Sequence, residues 1–142
     1  MKCLGLVGFL LVLLGVGPID AQTPPTIQPT KAEFDPSPSH DAIVTGTTTP
    51  VVSHYTIMVL AGTTVALAPV SVGKPTPDPA NSNKITVLLS SIAGFLALPK
   101  NVIYTAVVAA VGPDGSSPAV PPSNPFVFAP PAGAPGGLVV KQ

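Results

Sequence analysis

The chain has no tryptophan and no arginine, and its single cysteine is Cys3. Only 8% of its 142 residues are charged and the formal net charge is zero. Nucleic-acid binding needs clustered Lys and Arg to neutralise phosphates, so that class is excluded. Beyond Cys3 there is no thiol, which removes disulfides, thiolate metal sites and cysteine nucleophiles. The folded part must then be held by its apolar core alone. Long helices are excluded by abundance rather than scarcity, because twenty prolines and thirteen glycines are scattered along the chain. Against these, 46% hydrophobic residues with so little charge describe a chain that folds.

The N-terminal residues stand apart from the rest. Met1-Lys2 is a short positive start, Leu4 to Gly17 is an apolar run, and Pro18 followed by Ile19-Asp20-Ala21 closes it. This pattern reads as a secretory signal peptide cleaved after Ala21. The run is shorter than the ~20 residues a spanning helix needs, so membrane contact is expected only through this segment if it is retained. The expected organisation is a signal peptide over 1–21, a folded unit over 22–130, and a Pro/Gly/Ala-rich tail over 131–142 that ends in Leu138-Val139-Val140-Lys141. The compartment expected is the cell surface, the periplasm or the outside of the cell.

Period-two alternation supplies the elements. Gln22 to Thr30 reads as a frayed, proline-bearing first strand with Ile27 turned inward, and Lys31 to Phe34 as a second with Ala32 and Phe34 on one face. His54 to Leu60 alternates Tyr55, Ile57 and Val59 against Thr56 and Met58. Thr63 to Val72 is interrupted by Pro69 and fits an edge strand. Gly73 to Asn83 is a loop. Lys84 to Leu89 puts Ile85, Val87 and Leu89 on one face, Ser90 to Asn101 is an apolar connection, Tyr104 begins the most regular strand, and Ala119 to Val127 reads as the last. Short strands at intervals near ten residues, with no helical period between them, predict an all-β antiparallel sandwich.

Leu98, Pro99, Asn101 and Tyr104 are spaced like the leucine-to-tyrosine corner of a fibronectin type III module, and Tyr104 to Ser117 (Y-T-A-V-V-A-A-V-G-P-D-G-S-S) resembles that family's F strand and F–G turn. Pro122-Ser123-Asn124 before Phe126 resembles its entry into the G strand, and Phe34-Asp35-Pro36-Ser37 and Val72 to Pro75 resemble bacterial variants. The likeness spans about residues 24 to 130. It implies an immunoglobulin-like (fibronectin type III) antiparallel β-sandwich of about seven strands. It also implies a structural tyrosine corner at Leu98 and Tyr104, whose hydroxyl bonds back to the backbone. The family's buried tryptophan is missing, and Phe34 is its natural substitute. Its integrin-binding Arg-Gly-Asp is absent too.

No catalytic site is expected. Asp35, His40, Asp41 and His54 are the one gathering of metal-ligand types. They lack the spacing of His-x-Glu or His-x3-His and read as turn residues and solvated loop histidines. No G-x-S-x-G elbow occurs, and Gly133 to Gly137 is a linker, not a phosphate loop. No metal, small-molecule cofactor or nucleic acid is expected as a ligand. The surface offers a candidate interaction face. If Tyr55, Ile57 and Val59 point inward, then Thr56, Met58 and Leu60, with Thr105, Val107, Ala109 and Val111, form an apolar outer face, unless loop 42–52 or 73–83 folds over it. Met58, Leu60, Val107 and Val111 are its key residues. The expected function is a non-enzymatic protein-binding or spacing module whose partner is unknown. The alternatives are a subunit that assembles with itself through that face or by strand pairing, and a polysaccharide-binding accessory module.

Overall fold

A strand's pleat sends successive side chains to opposite faces, so an alternating sequence needs an apolar layer on one side only. In a computed structural model, which describes residues 24–118 and 121–130, this rule yields a mostly β-strand protein with almost no helix. The strands are β1 (Thr26–Ile27), β2 (Lys31–Phe34), β3 (His54–Ala61), β4 (Thr64–Gly73), β5 (Ile85–Leu88), β6 (Ile103–Gly112), β7 (Gly115–Ser116) and β8 (Phe126–Val127). The signal peptide expected over 1–21 and the tail over 131–142 lie outside the described residues.

Two sheets enclose one core. The larger has the order β1-β8-β6-β3-β4, with β7 also paired to β6; the smaller is the antiparallel pair β2-β5. Tyr55, Ile57 and Val59 from β3 and Ile85 and Val87 from β5 belong to one buried cluster, so both sheets face it. Each fully buried Ile or Val contributes roughly 1.5–3 kcal/mol. β4 sits at the edge, where Pro69 leaves no interior ladder bond unmade.

The connection after β5 follows a different period. Leu89, Ile92, Phe95 and Leu98 recur every third residue and all are buried. The backbone there makes 3-10 turns at Leu89–Ser91 and Phe95–Ala97, a geometry that stacks side chains three apart. Phe95 anchors one end of the core, its ring centroid 5.7 Å from Phe126 and 5.3 Å from Phe128. Tyr104 joins them at 5.7 Å from Phe126.

Two expectations are corrected. Ile27 is turned outward, 66% exposed, because β1 pairs in parallel with β8 in the register that sets Thr26 beside the buried Phe126 and Ile27 beside Val127. The last strand, expected over 119–127, spans only Phe126–Val127 among the described residues. Ser117 and Ser123 each meet β6, but five residues lie between them where β6 has only three between Ala110 and Ala106. Pro118, Pro121 and Pro122 have no N–H to give, so none of them can donate a ladder bond to β6. The serine hydroxyls stand in as acceptors: Ala110 N–H donates to Ser117 Oγ (3.0 Å) and Ala106 N–H to Ser123 Oγ (2.9 Å).

Candidate functional site

The Tyr104 hydroxyl donates to the carbonyl oxygen of Pro99 at 3.0 Å, five residues back, and Leu98 is buried beside this turn. Asn101 takes a left-handed φ of 58° there, and its N–H donates to Phe128 O (2.9 Å). The Lys100 ammonium lies 4.7 Å from the Phe128 ring centroid. Burial pushes the Tyr104 hydroxyl's pKa above its ordinary value. These bonds tie the start of β6 to the end of β8.

His40 departs from the reading of a solvated loop residue. It is 6% exposed, and its Nδ1 lies 2.8 Å from the Tyr55 hydroxyl, which also accepts the N–H of Ser37 at 3.0 Å. With Ser37 donating to the phenolic oxygen, the phenolic proton is available for Nδ1. The imidazole stacks on the Tyr55 ring (centroids 5.8 Å apart), and Phe34 packs on the same ring at 5.2 Å. Phe34 is only half-buried in this role. Burial, the largest cause, pushes the Tyr55 pKa up. His40 thus fastens the 35–41 loop onto β3. His54 instead contacts the Ser53 hydroxyl at 2.9 Å, and among the described residues no three His, Cys, Asp or Glu side chains gather to hold a metal.

The outer face of the larger sheet carries Met58, Leu60, Val107 and Val111, with Met58 directly opposite Val107 and Leu60 opposite Thr105. Val107 corrects the expectation of an exposed residue: it is only 5% exposed, yet lies outside the buried core cluster. The reason is its place in the middle of the sheet, with Met58 across and Ala109 beside it. Met58, Leu60 and Val111 are half-buried. A shallow cavity of about 350 Å³ runs over Val107 between Met58, Pro69, Val111 and Ser116. No residue of loop 42–52 or 73–83 lines it. Strand β4 adds Val65, opposite Leu60 and 52% exposed. None of β3, β4 or β6 contains Asp, Glu, Lys or Arg.

A second surface was not legible in the sequence. The two-stranded sheet covers only part of the larger one, and among the described residues the flank between β2 and β6 is open. The inward residues Ala106, Val108 and Ala110 pack against the core but are only half-buried. Two cavities of about 320 Å³ and about 690 Å³ meet at Glu33 along this flank. Phe95 and Phe126 line the first, and Phe34, Tyr55 and Val108 the second. The lip carries two ion pairs, Lys31–Glu33 at 2.7 Å and Lys84–Asp35 at 3.0 Å. The Lys31 ammonium holds the Glu33 carboxyl below its ordinary pKa. No signal in the sequence marked this cleft, because it arises from which strands pair.

No family model, curated protein or solved structure matches the chain.

Proposed function

We propose that this chain is an exported, non-enzymatic module of the fibronectin type III kind that holds a protein partner at the cell surface or outside the cell. The strand order and the Tyr104–Pro99 hydrogen bond support the fold reading, since that family ties the same corner with a tyrosine. The observation that carries the functional reading is the outer face of β3, β4 and β6, which combines Met58, Leu60, Val65 and Val111 with no charged side chain. A broad uncharged face with partly exposed aliphatic residues suits a contact surface. A second reading, self-assembly, is favoured by β4. It is a ten-residue uncharged strand with one unpaired edge among the described residues, and such an edge is a template for pairing. Polysaccharide binding would call for exposed aromatic rings, and Tyr55 and Tyr104 are both buried.

The test is site-specific photo-crosslinking in the producing cell, with the reactive residue placed at Leu60, at Val65, or at Asp114 in the β6–β7 turn as control. Crosslinks to one other polypeptide from the first two positions alone would support the reading. Products at multiples of the chain's own mass would move it to self-assembly. Equal yield from position 114 would exclude this face.

A further inference from the structure

The register of the smaller sheet decides which way its backbone groups point. Leu89 N–H donates to Thr30 O, so Thr30–Leu89 is a hydrogen-bonded pair, and so by alternation are Ala32–Val87 and Phe34–Ile85. The N–H and C=O groups of Lys31 and Glu33 therefore point away from β5. Among the described residues β2 pairs with β5 alone, and no backbone hydrogen bond meets Lys31 or Glu33 on that outer edge. That edge borders the open flank, whose floor is the half-buried inner face of β6. An unpaired edge beside an apolar trough is the geometry that accepts an added strand.

We propose that the flank between β2 and β6 binds an extended segment of a partner protein as a third strand of the smaller sheet. The segment runs along β2 and exchanges backbone hydrogen bonds with Lys31 and Glu33. Its alternate side chains drop onto Val108, Phe34 and Phe126. The stretch from Tyr104 to Ala110 accommodates about six residues at roughly 3.3 Å each. All four lip charges are already paired, Lys31 with Glu33 and Lys84 with Asp35, so the segment that fits is uncharged and apolar at every second position. A second copy of this chain is the poorer occupant. Each of its described strands is paired within its own sheet and would carry that sheet into the trough.

This rests on the reading of the chain as a binding module but uses a different surface, so its failure leaves the crosslinking result standing. The probe is a soluble peptide with Thr-Val-Thr-Val-Thr-Val between terminal lysines, compared with its Ser-for-Val counterpart. The readout is amide hydrogen exchange of the full chain by NMR. Lys31 and Glu33 amides should exchange fast in the free chain and slow at least tenfold with the valine peptide. The serine peptide should leave them unchanged. Glu33→Pro should abolish the effect with the fold intact, because position 33 gives no hydrogen bond to β5 and an edge strand tolerates proline. Should that variant unfold, Val108→Glu, which places a charge on the trough floor, serves instead. The proposal is overturned if both amides are already protected in the free chain, which would mean its own segments fill the flank. It is equally overturned if neither peptide slows them.

Discussion

Replacing Tyr55 by phenylalanine isolates one oxygen that serves two partners. The ring keeps its place in the core and its contact with Phe34, so no cavity term enters. What is lost is the acceptor for Ser37 N–H and the hydroxyl that pairs with His40 Nδ1. Each hydrogen bond has a net worth of about 1 kcal/mol, and a buried polar atom left without a partner costs about 1–3 kcal/mol. Ser37 is half-exposed and can turn to water, whereas His40 is 6% exposed and its Nδ1 cannot do so freely. The sum is about 2–3 kcal/mol of folding stability. Replacing His40 by leucine as well removes the orphaned nitrogen, so the second substitution should cost far less in the Tyr55→Phe background than alone. Urea unfolding of the two single variants and the double variant measures this directly, with a coupling of about 1 kcal/mol or more expected for groups in contact. A loss under about 0.5 kcal/mol for Tyr55→Phe, or an additive cycle, would refute the account of His40 as the fastener of the 35–41 loop.

Tyr104→Phe removes a single bond to a carbonyl oxygen and should cost about 1 kcal/mol by urea unfolding, less than Tyr55→Phe. Gly112→Ala would drive its new Cβ into the carbonyl oxygen of Val51, a backbone atom that cannot rotate away. A loss of about 3 kcal/mol or more is expected. Gly62→Ala, with open space but a φ of +61°, should cost about 1–2 kcal/mol, and the reverse order would contradict the close approach. Burial raises the pKa of both Tyr55 and Tyr104, so the unfolded chain releases these protons first. Stability from these groups is complete below the ordinary tyrosine value of about 10 and is lost as pH rises from there through the folded values. Thermal melts between pH 8 and pH 11 should show this fall, and a flat profile in that range would contradict it.

The strands that alternate cleanly were legible because their pattern is local. Tyr55, Ile57 and Val59, and Ile85, Val87 and Leu89, need only the pleat to select a face, and all six are buried. The three-residue recurrence of Leu89, Ile92, Phe95 and Leu98 was also present in the sequence, but a period of three falls between those of strand and helix and read only as an apolar connection. Pro69 marked the edge position of β4 through its missing N–H.

Long-range pairing decided the remainder. Whether β1 joins its neighbour β2 or the far-off β8 is a choice between a local and a long-range partner; the pairing with β8, in the register Ile27 to Val127, turned Ile27 outward and left the edge of β2 open among the described residues. His40 looked like a loop histidine because nothing in its neighbourhood announces Tyr55, fifteen residues away, as a partner. Val107 and Val108 are the sharpest case. Alternation assigns one to each face, yet the outward Val107 is buried and the inward Val108 is half-exposed. Alternation fixes only the direction of a side chain. How much solvent reaches it depends on which strands the finished fold lays over each face.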